Sequence, residues 1–243
     1  MTPTLIIDAD DTLWESEIYY QRCIAEFGEL MAAQGFDEEE AKETLDRVER
    51  ERVADAGYGP KAFAENVLIA YETLCERKGL SPDEQVREAA RRIGHQVLSH
   101  PIILLQGVAE TLPRLSEAFE LILLTKGNEA IQIDKLTRSG LESHFRSVHV
   151  VHEKDAAVFQ ALIDEYDLAG DEVWMIGNSP RSDINPALAV GLRAVHIPHT
   201  HTWGHEQEPI VTPEDVTVLD TFADLAMLFL ESERESEEEG DDD

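Results

Sequence analysis

The chain has 243 residues, of which 42% are hydrophobic, and it carries a formal net charge of −31 at pH 7. The length and hydrophobic content favour one core domain with a smaller insert, while the charge argues against nucleic acid or a membrane surface as a partner. No apolar run is long enough for a membrane span or a signal peptide, and two cysteines do not indicate a disulfide framework, so we expect a soluble, cytoplasmic chain and take it to be a monomer.

The chain begins with a predicted strand and continues with predicted helices. Residues Thr4 to Asp8 form a short apolar run that ends in carboxylates, as in a buried parallel strand that opens on a crevice. From about Glu15 to His100, apolar residues recur at helical spacing, and about four helices fit this stretch. Ser81 and Glu84 match a capping box, with Pro82 at the first helical position.

After Pro101 the pattern changes to strands that alternate with helices. Such alternation predicts an α/β fold with a Rossmann-like open parallel sheet, into which the α-helical domain is inserted after the first strand. The predicted strands are Glu120–Leu124, Ser147–Val151, Glu172–Ile176, Arg193–Ile197 and Val216–Leu219, separated by helices from about Val108, Ala130, Ala156 and Asp183 and followed by one from Thr221 to Leu230. We expect a core of residues 1–14 and 101–230, a helical domain of residues 15–100, and a disordered acidic tail of residues 231–243.

Two carboxylates stand where the first strand opens into a turn. Asp8 and Asp10 are two residues apart, and in a turn both can point into one crevice. Asp8 is ionised at neutral pH and can attack phosphorus without a separate base, because the reference pKa of aspartate is about 3.9. Asp10 can then act as the acid and base. Taken alone, the same residues also fit a helix cap or a solvated turn.

Polar residues also follow the later strands. Thr125, Lys126 and Gly127 follow a second apolar run and can hold phosphate oxygens, although a plain strand-to-helix turn fits equally. Lys154 follows the third strand and can neutralise phosphoryl charge, although a lone loop lysine is usually only solvated.

The fourth strand also runs into a polar loop. Asn178 and Asp183 in this loop offer hard oxygen ligands for Mg²⁺, with an Asx turn as the alternative.

In this order the motifs resemble those of the haloacid dehalogenase superfamily, from about Thr4 to Pro198. The resemblance implies an aspartyl phosphatase with a C1-type helical cap. It implies Asp8, Asp10 and Lys154 as catalytic residues, Thr12, Thr125, Lys126 and Gly127 as substrate-binding residues, and Asp8, Asp10, Asn178 and Asp183 as the Mg²⁺ shell. Within the superfamily, an aspartate at Asp10 is typical of phosphatases and is absent from the dehalogenating branch.

Two positions depart from the superfamily pattern. Asn178 stands where aspartate is usual, which removes a charge from the expected metal ligand, and Asp155 stands where proline often follows the lysine. The resemblance thus implies Mg²⁺-dependent hydrolysis of a small phosphorylated metabolite. A phosphomutase that uses the same intermediate and a catalytically silent binding protein are the alternatives.

Two further features admit two interpretations each. Trp14 follows the first motif and fits either the substrate entrance or packing between the domains. The histidine-rich run from His196 to Glu206 suggests zinc, but its spacings match no compact ligand motif, so we interpret it as a polar loop near the site.

Overall fold

The computed structural model of the chain describes residues 3–57, 59–168 and 172–231. The described residues divide into two compact units, one within Met1–Glu15 and Ile102–Asp243 and the other within Ser16–Pro101. The predicted acidic tail lies outside the described residues, except for Glu231. In the part of the chain that the structure describes, no helix has the length and apolar character that a bilayer crossing requires.

The first unit is built on a parallel sheet of six strands among the described residues, in the order β3-β2-β1-β4-β5-β6. The strands are β1 (Thr4–Ile7), β2 (Glu120–Lys126), β3 (Ser147–Val151), β4 (Val173–Gly177), β5 (Arg193–His196) and β6 (Val216–Val218). This is the α/β, Rossmann-like fold that the sequence predicts, with strand bounds that agree to within two residues.

Successive residues of the central strands pack on opposite faces of the sheet. Leu5 and Ile7 of β1 join one hydrophobic cluster, whereas Ile6 joins the cluster on the other face. All three side chains are fully buried, which explains why β1 is an uninterrupted apolar run rather than an alternating one.

The strand order reverses next to β1. The chain passes from β1 to β2 and β3 on one side and then continues with β4, β5 and β6 on the other side. Ligands of open parallel sheets bind at the carboxyl ends of the strands where the order reverses. This point lies between the ends of β1 and β4, where Asp8 and Asn178 follow their strands.

Helices connect the strands of this unit. They are α5 (Val108–Ala118), α6 (Glu129–Ser139), α7 (Ala156–Tyr166) and α8 (Asn185–Ala189). Asp155 is the N-cap of α7 and accepts the backbone N–H of Val158 at 3.0 Å, so the residue that replaces the usual proline begins this helix. Helix α8 begins at Asn185, two residues after the predicted start at Asp183. A π-helical turn over Pro180–Ile184 precedes it.

The second unit consists of four helices and a short 3₁₀ turn at Gln96–Leu98 among its described residues. The helices are α1 (Glu17–Ala33), α2 (Glu38–Ala56), α3 (Pro60–Arg77) and α4 (Glu84–His95). They enclose their own hydrophobic cluster, which includes Phe27, Leu45 and Phe63. Cys23 and Cys75 are buried in the same cluster as free thiols.

One local prediction was wrong, and one predicted helix has a geometry other than that of an α-helix. The N-cap of α4 is Asp83, not Ser81, because the Asp83 side chain accepts the backbone N–H groups of Gln85 and Val86 at 2.8 and 3.2 Å. The segment predicted as a helix from Thr221 to Leu230 is helical, but it is a 3₁₀ helix over Phe222–Asp224 followed by a π-helix over Ala226–Glu231.

Candidate active site

The turn after β1 brings several polar side chains together. Asp11 adopts a left-handed backbone conformation with φ of 61°, which aspartate tolerates better than most residues. Its N–H donates to the Trp14 carbonyl at 2.8 Å, and the N–H of Leu13 donates to the Ala9 carbonyl at 2.8 Å. This tight turn explains how Asp8 and Thr12 come to hydrogen-bond with each other.

Asp8 is buried at the centre of the site. Its backbone N–H donates to the Ile176 carbonyl at 2.9 Å, which extends the pairing of β1 with β4. Thr12 Oγ1 donates to Asp8 Oδ2 at 2.9 Å, and the Lys154 ammonium donates to Asp8 Oδ1. Both carboxylate oxygens therefore have a fixed partner, and the side chain is held in one orientation.

Lys154 joins Asp8 to Asp183. Its ammonium donates to Asp183 Oδ1 at 2.6 Å, while Asp183 Oδ2 accepts the backbone N–H of Ser179 at 2.9 Å. Burial lowers the pKa of Lys154, but the Asp183 and Asp8 carboxylates outweigh burial and raise it, so the amine stays protonated. Burial raises the pKa of Asp8 to about 7, against the lowering effect of Lys154.

The amide of Asn178 faces the same hydroxyl group as Asp8. Thr12 Oγ1 lies 3.4 Å from Asn178 Oδ1, and the Asn178 amide nitrogen donates to Thr202 Oγ1 at 3.1 Å. His196 contributes a second contact, because its Nε2 lies 3.0 Å from the Asn178 carbonyl oxygen. These contacts direct the amide oxygen of Asn178 towards Thr12.

These contacts provide a donor set that suits a divalent cation. Asp8 and Asp183 share one ammonium and are 5% and 0% exposed, and both burial and the charge of Asp183 disfavour the ionised form of Asp8. Their carboxylates and the amide oxygen of Asn178 are the hard ligands that Mg²⁺ prefers. A bound cation would stabilise the ionised form of Asp8, and the residues present therefore fit the metal that the sequence predicts.

Asp10 belongs to a separate charged group. Lys135 on α6 donates to both of its oxygens at 2.8 and 2.9 Å, Gln132 donates to Oδ2 at 2.9 Å, and Trp14 Nε1 donates to Oδ1 at 2.7 Å. Burial raises the pKa of Asp10, but Lys135 and the hydrogen bonds outweigh it and lower the pKa below its ordinary value. Asp10 is therefore an ionised carboxylate in this arrangement.

Trp14 itself is fully buried. It belongs to the hydrophobic cluster of the α/β unit and presents its indole N–H to Asp10. Trp14 therefore holds the carboxylate of Asp10, four residues before it, and does not line an entrance.

Two of the three residues at the end of β2 that were predicted to hold phosphate have partners within the fold. Thr125 is 2% exposed at the carboxyl end of the strand. The N–H of Gly127 donates to the Val151 carbonyl at 2.9 Å and is thus already used within the fold. Lys126 Nζ lies 2.5 Å from Glu206 Oε1 and 2.9 Å from Ser182 Oγ, so its charge is balanced by a carboxylate.

The polar loop after β5 contacts the site at two places. His199 lies between Asp11 and Glu15, with its Nδ1 at 3.5 Å from Asp11 Oδ1 and its Nε2 at 3.4 Å from Glu15 Oε2. Each of these three side chains offers one possible metal ligand atom, and the three atoms lie within 4.8 Å of one another. Glu206 makes the second contact, with Lys126. Neither contact follows from the spacing of the histidines in the sequence.

Most of the predicted site residues therefore make contacts with one another or with nearby polar side chains, but they do not form a single group. Asp8, Thr12, Lys154, Asn178 and Asp183 form a continuous set of contacts. Asp10 and Lys126 have their own partners. Sequence reasoning missed those partners, which are Trp14, Gln132 and Lys135 for Asp10 and Ser182 and Glu206 for Lys126.

Gln132 and Lys135 carried a weak signal that sequence reasoning did not use. They stand three residues apart on α6, the helix that follows β2, and residues at this spacing share a helix face. Glu206 carried no such signal, because its loop has no periodic pattern.

Known proteins resemble this chain over much of its length. It is 28% identical to a phosphoserine phosphatase from Thermus thermophilus over 136 residues, which is 52% of this chain and 52% of that relative, so the match spans about half of each. It is 23% identical to the N-acylneuraminate-9-phosphatase of Mus musculus over 197 residues, which is 78% of this chain and 79% of that relative.

Solved structures show the same fold. The crystal structure of a haloacid dehalogenase-like family hydrolase from Xanthomonas campestris has a TM-score of 0.78 and 29% identity, and the match covers 96% of this chain and 94% of that one. The family model for haloacid dehalogenase-like hydrolases matches residues 2–191, which include the described motif residues from Asp8 to Asp183. The chain therefore belongs to the family of haloacid dehalogenase-like hydrolases.

Proposed function

We propose that the chain is a Mg²⁺-dependent phosphatase that hydrolyses a small phosphomonoester through an aspartyl-phosphate on Asp8. The observation that carries this proposal is the environment of Asp8, a buried carboxylate at the end of β1 that is held by Thr12 and Lys154. The names of two relatives, both phosphatases, support the reaction class. Asp10 supports it as well, since phosphoryl transfer to Asp8 needs a second group that donates a proton to the leaving oxygen.

The first step is an attack by a carboxylate oxygen of Asp8 on phosphorus. The new bond joins Asp8 to phosphorus, the bond from phosphorus to the leaving oxygen breaks, and a protonated Asp10 gives its proton to that oxygen. Thr12 fixes the carboxylate by its hydrogen bond at 2.9 Å, and Lys154 balances charge beside it. Because Lys135 keeps Asp10 ionised, Asp10 must gain a proton before this step.

The second step returns Asp8 to its free form. Asp10 accepts a proton from water, the water oxygen bonds to phosphorus, and the bond between phosphorus and Asp8 breaks. Asp8, Asn178 and Asp183 would hold Mg²⁺, which supplies positive charge that stabilises the phosphoryl oxygens when it is bound. Thr125 would contact the phosphate from the end of β2.

The test is phosphate release from a panel of phosphorylated metabolites, with Mg²⁺ or with a chelator. Phosphoserine and N-acylneuraminate 9-phosphate belong in the panel because relatives are named for them. We expect release by the unaltered chain with Mg²⁺, and loss of release with chelator or in Asp8→Asn. Asp164→Asn on the exposed face of α7 is the matched control and should remain active.

Either of two results would contradict the proposal. One is a folded chain that releases no phosphate from any panel member. The other is a transfer of the phosphoryl group to a second hydroxyl of the sugar, which would identify a mutase. Product analysis by phosphorus NMR separates transfer from hydrolysis.

A further inference from the structure

Glu206 is a partly buried carboxylate in the loop that follows β5. Its side chain is 13% exposed, and its Oε2 accepts hydrogen bonds from Ser179 Oγ at 2.7 Å and from Ser182 Oγ. Burial raises its pKa, but the adjacent Lys126 and these hydrogen bonds outweigh burial and lower the pKa to about 2. Glu206 is therefore a permanently charged group beside the candidate site.

Lys126 is the cation that Glu206 contacts most closely. Lys126 Nζ lies 2.5 Å from Glu206 Oε1 and 2.9 Å from Ser182 Oγ. Lys126 directly follows Thr125, the residue that would contact phosphate at the end of β2. The Lys126 ammonium adds positive charge at the end of β2, and Glu206 offsets that charge at short range, whereas Glu153 Oε1 lies farther from Lys126 Nζ, at 3.9 Å.

The same glutamate also contacts the loop that carries the metal-binding candidates. Ser179 and Ser182 lie between Asn178 and Asp183 in sequence, and both donate to Glu206. Ser179 contributes its N–H to Asp183 as well, at 2.9 Å. A single carboxylate thus joins the end of β2 to the loop after β4, two elements that are not neighbours in the sheet.

We propose that Glu206 is a positioning residue that acts through Lys126, fixing its ammonium against Ser182 and setting how much positive charge the end of β2 presents to the phosphate. This inference rests on the proposed phosphatase function. It concerns a loop that the family model does not match, because that match ends at residue 191. Removal of the negative charge should therefore make phosphate bind more tightly, which a purely structural role would not do.

The experiment measures binding of inorganic phosphate to the full chain with Mg²⁺ by titration calorimetry. Glu206→Gln keeps the size of the side chain and removes its charge, so Lys126 loses the carboxylate nearest to it, while Glu153 remains with its Oε1 at 3.9 Å from Lys126 Nζ. We expect phosphate to bind about three- to tenfold more tightly at low ionic strength, with a smaller gain at high salt. With substrate, KM should fall while kcat does not rise, because product phosphate leaves more slowly.

Three controls separate this role from a structural one. In Lys126→Met, the further change Glu206→Gln should leave phosphate affinity unchanged, because the effect requires the ammonium. Glu206→Asp keeps the charge and should bind phosphate like the unaltered chain. Glu208→Gln makes the same charge change two residues away, at an exposed pair with Arg181 of 3.4 Å, and should have no effect.

The outcomes are distinguishable from a failure of the proposed function. Equal or weaker phosphate binding by a folded Glu206→Gln chain would overturn this inference and leave the phosphatase proposal standing. The same would follow if the gain persisted without Lys126. If no variant bound phosphate at all, this inference would be rejected, and the phosphatase proposal would be decided separately by the phosphate-release assay.

Discussion

Lys135 on α6 contacts both carboxylate oxygens of Asp10, at 2.8 Å from Oδ1 and 2.9 Å from Oδ2. The Lys135 side chain is only 5% exposed, so its charge is weakly screened by solvent. A proton donor for the leaving oxygen must first carry a proton, yet this contact lowers the pKa of Asp10. Lys135 therefore sets the pH range in which Asp10 can act as an acid.

Replacement of Lys135 by methionine tests this relationship. Without the ammonium, burial dominates and the pKa of Asp10 rises, so Asp10 holds a proton at higher pH. We expect the alkaline limb of the pH profile of kcat/KM to shift to higher pH by about one unit. Lys42→Met, which removes a lysine paired with Glu38 on α2, is the control and should leave the limb in place. An unmoved limb in Lys135→Met would contradict the assigned role of Asp10.

The contact between Asp8, Lys154 and Asp183 follows from the sequence because parallel strands impose it. Each of the three residues comes soon after an apolar strand, and the carboxyl ends of such strands meet at one edge of the sheet. Residues that are far apart in the chain are thereby placed at the same edge. The family resemblance then identifies which of the polar residues face one another.

The partners of Asp10 and Lys126 did not follow from the sequence. Lys135 contacts Asp10 only because α6 packs with one face towards the first turn, and that rotation depends on tertiary packing. Glu206 reaches Lys126 through a loop whose path is set by individual contacts rather than by a periodic pattern. The error at the start of α4 arose because both Ser81 and Asp83 are residue types that cap helices, and it is the Asp83 side chain that accepts N–H groups of the first turn.

Gly177 leaves room for the carboxylate of Asp183. A Cβ at this position would lie 2.3 Å from Asp183 Oδ2 and 2.4 Å from its Cγ. Asp183 cannot retreat easily, because Lys154 and the Ser179 N–H hold both of its oxygens. We expect Gly177→Ala to lower the free energy of unfolding by about 1–3 kcal/mol and to reduce phosphate release by about tenfold or more.

Gly204→Ala is the control for this substitution. Nothing lies within 4 Å of a Cβ at Gly204, so both stability and activity should be preserved. Chemical denaturation and the phosphate-release assay provide the two measurements. A Gly177→Ala chain with the activity of the unaltered protein would show that the position of Asp183 is unimportant for turnover.

Gly94 permits close contact between α4 and α3. A Cβ at Gly94 would lie 2.7 Å from the Ala64 Cα and 3.0 Å from its carbonyl oxygen, which are backbone atoms. Replacing glycine by alanine within a helix normally stabilises it by about 1 kcal/mol, but here we expect a loss of about 1–3 kcal/mol. Thermal unfolding followed by circular dichroism measures the change.

Gly28 on α1 provides a matched comparison in the same helical unit. A Cβ there would meet the Lys42 Cε at 2.7 Å and the Glu38 Cγ at 2.9 Å, both in flexible side chains that can move aside. Gly28→Ala should therefore be neutral or stabilising. If Gly94→Ala were equally well tolerated, the close approach of α3 and α4 would not limit the stability of this unit.

Glu206 should also make the stability of the fold depend on pH. Its pKa falls from an ordinary 4.5 to about 2, because Lys126 and the two serine hydroxyls outweigh the effect of burial. Between these two pKa values the folded state therefore binds fewer protons than the unfolded state. The contribution of Glu206 to the free energy of unfolding is complete above pH 4.5 and is lost as the pH falls towards 2. The shift corresponds to roughly 3 kcal/mol at neutral pH.

The measurement is urea denaturation of the unaltered chain and of Glu206→Gln from pH 6 down to the most acidic pH at which both fold. Because glutamine does not titrate, the gap in unfolding free energy between the two chains should be largest near neutrality and should narrow as the pH falls. A gap that stayed constant with pH would mean that Glu206 stabilises the loop by packing rather than by its charge. Glu208→Gln, at an exposed ion pair, should show no comparable change with pH.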